Sequence, residues 1–261
     1  GNSNLLLGYR SGYSNTNGSN NSFLGYLSGR SNTTGMANTF IGSYSGNQNV
    51  NGSNNTFLGF YSGNSNSSGS GNNFMGTNSG FSNTSGKENV FIGTESGYSN
   101  TTGNFNSFIG YHAGRTNTRG RYNVLLGYEA GLSSDTSFNT FVGYQVGRAN
   151  TTGTNNVFMG YRAGYINTIS SNNVAIGVEA AGSSNPSSGD NVSVGLYAGW
   201  ANNSYSCVFL GTGAGQNAVN GRAKIMIGPQ AGYNADDAPY SIFIGGSAGL
   251  DFSTGYENII I

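Results

Sequence analysis

A glycine closes a short apolar triplet about every 17 residues along the whole chain. The markers are Gly8, Gly25, Gly42, Gly59, Gly76, Gly93, Gly110, Gly127, Gly143, Gly160, Gly177, Gly195, Gly211, Gly228 and Gly245. The first seven steps are 17 residues each, and the rest are 16, 17, 17, 18, 16, 17 and 17. Asn258-Ile259-Ile260-Ile261 ends where the next marker would fall. A unit this short cannot bury an apolar face alone, whereas stacked units can, which is the logic of a solenoid. Helical repeats take roughly 30 residues or more, and three glycines per unit would break helices.

Composition supports the same reading. A second glycine follows four residues after the marker in fourteen of fifteen copies, with Ala181 as the exception, and a third follows ten residues after it in ten copies. These phases hold 39 of the 45 glycines, so glycine is placed at turns and close backbone approaches. Only 8% of residues are charged, the formal net charge is zero and 13% are aromatic. A disordered chain would combine high net charge with few aromatics. The neutral chain offers no electrostatic footprint for nucleic acid, and no apolar run approaches the roughly 18 residues of a membrane span.

The segment "NTFIGY" is rich in β-formers and bounded by Asn and Gly, as a strand should be. The expectation is an all-β parallel β-solenoid of about 15 coils, mostly of 17 residues, as one array over 1–261. Each coil carries two short strands, and neighbouring coils pair in parallel at about 4.8 Å. The array reads as a segment of a longer fibre or filament.

Strand side chains alternate between faces. The residue before the marker is always aliphatic, as in Leu24, Ile41, Leu58, Met75, Ile92 and Val142, and is assigned to the coil interior. Small residues three after the marker (Ser28, Ser62, Ala113, Ala163) would close that narrow interior. The large residue two before the marker then faces outward: Phe23, Phe40, Phe57, Phe74, Phe91, Phe108, Phe141, Phe158, Phe209 and Phe243, with Leu6, Leu125, Met226 and Ile260. Ala175 and Ser193 depart from it. Such a ribbon is too large to leave wet, so the ten Phe are candidate oligomer contacts. The pattern also admits a wider coil whose interior takes the Phe, because alternation does not fix coil width.

Asn173-Val174-Ala175-Ile176-Gly177, followed by Ala180, resembles the "NSVAIG" repeat of the head domains of YadA-like trimeric autotransporter adhesins, and Asn191-Val192-Ser193-Val194-Gly195 is close to it. The resemblance implies a left-handed parallel β-roll, three chains packed into a trimer, and an adhesive role at the cell surface. This sequence departs from that pattern in its longer period and in Phe where the family has a small residue. Similar "NTFIGYxAG" arrays also resemble shafts of phage-type and bacterial surface fibres.

Catalytic chemistry finds little support. The acidic residues are dispersed, and Glu95, Glu129 and Glu179 share one phase but lie two or three coils apart. That is roughly 10–14 Å, too far for a retaining carboxylate pair. His112 and Cys207 lack companions for a metal site, and no cofactor is expected. Asn recurs seven residues after the marker. The bland reading is an amide ladder between coils; the functional one is N-glycosylation at Asn32, Asn66, Asn83, Asn100 and Asn150, which all start Asn-x-Ser/Thr acceptors. A Thr array (Thr33, Thr84, Thr101, Thr118, Thr151) raises ice binding as an alternative. Tyr13, Phe81, Tyr98, Tyr165, Trp200 and Tyr233 share one phase, and aromatics of this kind stack on sugars or serve as contacts.

The resulting expectation is a non-enzymatic structural segment of an extracellular or cell-surface fibre, possessing adhesive character. Its partner is itself, as a homotrimer or filament, with host or environmental glycans or matrix as further partners. A glycan- or ice-binding module is the alternative, as is a phage-type tail fibre shaft.

Overall fold

The computed structural model describes residues 1–183 and 189–261. The chain is an all-β parallel β-solenoid with about one 17-residue coil per repeat, and its two compact units span Gly1–Ser137 and Phe138–Ile261. In the first unit, β1 (Leu5–Leu7), β2 (Ser22–Leu24), β3 (Thr39–Ile41), β4 (Thr56–Leu58), β5 (Asn73–Met75), β6 (Val90–Ile92), β7 (Ser107–Ile109) and β8 (Val124–Leu126) pair in chain order. In the second, β9 (Thr140–Val142), β10 (Val157–Met159), β11 (Val174–Ile176), β12 (Val192–Val194), β13 (Val208–Leu210), β14 (Ile225–Ile227), β15 (Ile242–Ile244) and β16 (Ile259–Ile260) do the same. Register follows the repeat, with Phe40 opposite Phe57 and Phe209 opposite Met226.

Among the described residues each repeat has one strand of two or three residues, not two strands. The second half still bonds to its neighbour, as in Gly46 N to Ser62 O (2.9 Å) and Gln48 N to Asn64 O (2.9 Å). It does not become a strand because it is bent by left-handed residues. Gly46 and Gly63, four after their markers, have φ of 56° and 57°, and Tyr44 and Tyr61, two after, have 60° and 55°. A non-glycine residue in this region costs roughly 1–2 kcal/mol, so the inter-coil hydrogen bonds must hold these corners.

The two strand faces are assigned the other way round from the sequence expectation. Phe23, Phe40, Phe57, Phe74, Phe91, Phe108, Phe141, Phe158, Phe209 and Phe243 are all fully buried within their own units. They are core, not an oligomer ribbon. In the first unit, rings from Phe23 to Phe108 stack at 4.8–4.9 Å with interplanar angles of 5–10°. The aliphatic residues point out: Leu24 is 41% exposed, Ile41 37% and Leu58 38%. Ser28, Ser62, Ala113 and Ala163 are buried, as expected.

Room for the ring comes from the facing glycine. A Cβ on Gly63 would lie 2.5 Å from two carbons of the Phe57 ring. The coil is therefore wide enough for a phenylalanine only because the wall opposite has no side chain.

Candidate functional site: an outward apolar face on each unit

Three positions per coil point outward around the strand: three before the marker, one before it and one after. In β4's coil these are Thr56, Leu58 and Phe60; in β7's coil, Ser107, Ile109 and Tyr111; in β10's coil, Val157, Met159 and Tyr161. The last of each set is 42–49% exposed. None of the 20 charged residues of the chain falls in these three columns. Each unit thus presents an uncharged face of aliphatic, aromatic and hydroxyl side chains. Such a face is the kind that marks contact sites on proteins.

Its rigidity comes from beneath. Alternation fixes the outward Leu, Ile, Val or Met because its neighbour is clamped in the ring stack. Serines behind the stack add a bond, as where Ser62 Oγ donates to Phe74 O at 3.0 Å. The flanking tyrosines also stack along the face, Tyr9 on Tyr26 at 5.4 Å and Tyr144 on Tyr161 at 5.4 Å.

The five sequon asparagines belong to the interior. Asn32, Asn66, Asn83, Asn100 and Asn150 are all fully buried. Asn66 Nδ2 donates to Asn49 Oδ1 (2.8 Å) and to Gly69 O (3.0 Å). An attached glycan would have to displace that amide and the coil with it, so the glycosylation expectation is corrected to the amide ladder. The threonine hydroxyls are likewise committed along the stack: Thr33 Oγ1 donates to Val50 O and Thr84 Oγ1 to Thr101 O, both at 3.0 Å.

Among the titratable groups, Glu95 receives Arg115 Nε at 2.6 Å and lies 3.2 Å from His112 Nε2. The Arg115 hydrogen bond holds the Glu95 carboxyl below its ordinary range despite partial burial. Burial pushes the His112 imidazole down against the pull of Glu95. Glu129, in the same column one repeat after His112, adds its pull to that of Glu95 on the imidazole, while Glu179 occupies the same column in a coil of the second unit. Cys207 is buried and unpaired, and burial pushes its thiol up.

Sequence reasoning overlooked Lys224. It takes the position four before the marker, elsewhere mostly Asn, and is fully buried. Its ammonium donates to the carbonyls of Asn220, Ala235 (3.0 Å) and Asp236 (2.9 Å). Burial pushes it down to about 8, with Cys207, Asp236 and Asp237 pulling the other way. The signal was present: a charged residue at a phase that otherwise supplies buried amides.

Neither protein-family models nor curated proteins yield a match to this chain.

Proposed function

We propose that this chain is a structural segment of an extracellular fibre that assembles by packing its outward apolar face against further copies of itself. The observation that carries the reading is the uncharged three-column face, repeated coil after coil with an exposed or half-buried aliphatic residue in each. A second copy of the same chain presents the same spacing, so aliphatic rungs on one copy meet rungs of equal pitch on the other. The resemblance to YadA-like head repeats supports three copies and an adhesive role at the cell surface. The ribbon expected at the Phe column is thereby moved one residue along, to the aliphatic column.

Light scattering coupled to size exclusion tests this. The expected mass is a multiple of 27.0 kDa. A monomer at micromolar concentration overturns the reading. The triple variant Ile41→Lys, Leu58→Lys, Ile92→Lys places charge on the face without touching the ring stack. It should shift the mass toward monomer while the β signal in circular dichroism persists.

A further inference from the structure

In the second unit, the column five residues after the marker reads Arg148, Tyr165, Gly182, Trp200, Gln216, Tyr233, Leu250. Tyr165, Gly182 and Trp200 sit on consecutive rungs. Ile166 N donates to Gly182 O at 3.2 Å, and Ser183 N donates to Trp200 O at 2.8 Å. Where this column holds aromatics on consecutive rungs they stack, as Phe81 does on Tyr98 at 5.2 Å and 5°. At Gly182 one rung of that stack is missing. Two coil steps separate Tyr165 from Trp200, about 10 Å, which leaves room for one ring between them at ordinary stacking distance. The gap is a cavity of about 180 Å³ bounded by Arg162, Tyr165, Glu179, Gly182, Ser183 and Trp200, with Ile166 at its rim. That is smaller than the several hundred Å³ of a drug-sized site, and suits a single ring.

We infer that this missing rung is a binding slot for one pyranose ring of a glycan. The walls are aromatic, and the C–H faces of a pyranose are its apolar surfaces. The rim is hydrogen-bonding, and the hydroxyls of a pyranose lie around its edge. The rim groups are already positioned. Glu179 Oε2 accepts from Trp200 Nε1 at 3.2 Å. Arg162 donates Nε to Gln145 Oε1 at 3.0 Å, and its guanidinium lies 5.0 Å and 5.2 Å from the ring centres of Tyr165 and Tyr161. A carboxylate that accepts from hydroxyls beside a guanidinium that donates to them matches a polyol edge. A plain aromatic ring would fill the slot but offer neither group a partner, which is why a sugar is favoured.

Trp200 is the only tryptophan in the chain, so its fluorescence reports on this slot alone. The probes are methyl glycosides of glucose, galactose, mannose and N-acetylglucosamine, titrated into the full chain. At least one should give a saturable change. Gly182→Tyr, which supplies the missing rung, should abolish it, and Glu179→Ala should weaken binding at least about tenfold, the loss of one charged hydrogen bond. No saturable change with any of the four glycosides overturns the inference. So does an undiminished response in Gly182→Tyr, or a response to tyrosinamide with none to the sugars. If Gly182→Tyr fails to fold, Glu179→Ala decides, and unchanged affinity in that variant overturns the slot.

Discussion

The two units share one coil plan but fill it differently. The first is lined by amides and hydroxyls around a ring stack that runs unbroken from Phe23 to Phe108. Its inner asparagines bond up the column, Asn38 N to Asn21 Oδ1 and Asn55 N to Asn38 Oδ1, each at 3.0 Å, and each amide also reaches a carbonyl 14 residues on. The second replaces much of this with small apolar residues. Ala198, Ala214, Ala218, Ala231, Ala235 and Ala238 cluster with Phe209, Met226 and Phe243. Its asparagine column gives way to Cys207, Lys224 and Ser241. The outer face changes in step. The position three before the marker is Ser22, Thr39, Thr56, Asn73 and Ser107 across much of the first unit, beside Leu5, Val90 and Val124, and in the second, after Thr140, it is Val157, Val174, Val192, Val208, Ile225, Ile242 and Ile259. Backbone geometry, not the chemistry of the filling, is therefore what the repeat conserves from coil to coil. The first unit obtains specificity from hydrogen bonds that only one register satisfies; the second keeps that ladder from Asn139 to Asn191 and relies on burial beyond it.

The largest test of that contrast is to empty the ring stack. Phe74→Ala should cost about 3–5 kcal/mol by urea denaturation, because both ring neighbours lose a face. Gly80→Ala should also destabilise strongly, since its Cβ would lie 2.5 Å from the Phe74 ring at a φ of 58°. Combining the two should cost less than their sum, because the smaller side chain frees the space that the new methyl needs.

A smaller effect is expected in the ladder. Asn72→Ala in the first unit leaves Asn55 Oδ1 and Gly86 O short of a donor and should cost about 1–3 kcal/mol, visible as faster hydrogen exchange in adjacent coils. Ser241→Asn in the second unit restores a ladder residue and should change stability little or raise it. Equal losses in both would erase the distinction between the units.

Lys224 gives the second unit a pH signature. Its folded pKa is about 8, below the usual lysine value, so the folded state releases that proton first. Below pH 8 both states carry the charge, and its burial cost is fully present. Between pH 8 and about 10.4 the folded state loses the charge while the unfolded chain keeps it, so stability gains on the order of 2–3 kcal/mol. Lys224→Asn should abolish that gain relative to the parent chain, measured as the difference in melting temperature at pH 7 and pH 10.

The smallest effect belongs to the half-buried ion pair of the first unit. Glu95→Gln should cost about 0.5 kcal/mol. Because Arg115 lowers the Glu95 carboxyl, this contribution is present at neutral pH and disappears as acid protonates Glu95 below its ordinary range.

Much of this fold can be read from the glycine spacing. Period, parallel register, the strand at "TFIG" and the buried small residues follow from it, as does the asparagine ladder. The face assignment does not follow from alternation, which is symmetric between in and out. One coil holds the clue: where Phe becomes Ala175, the glycine six residues later becomes Ala181. The paired change in volume says that these positions face each other across the interior. The sugar slot was half visible, as an aromatic column containing Tyr165 and Trp200. Its gap was hidden because Ala181 stands at the turn position four after the marker, so that Gly182 beside it reads as a misplaced turn glycine.

What the sequence alone determined was a one-dimensional array, since a 17-residue unit with three fixed glycines buries apolar surface only by stacking. Only the tertiary structure decided which column became core. A phenylalanine ring enters a coil when the opposite wall lacks a Cβ, and that opposition exists only once the chain has turned its corners through left-handed residues.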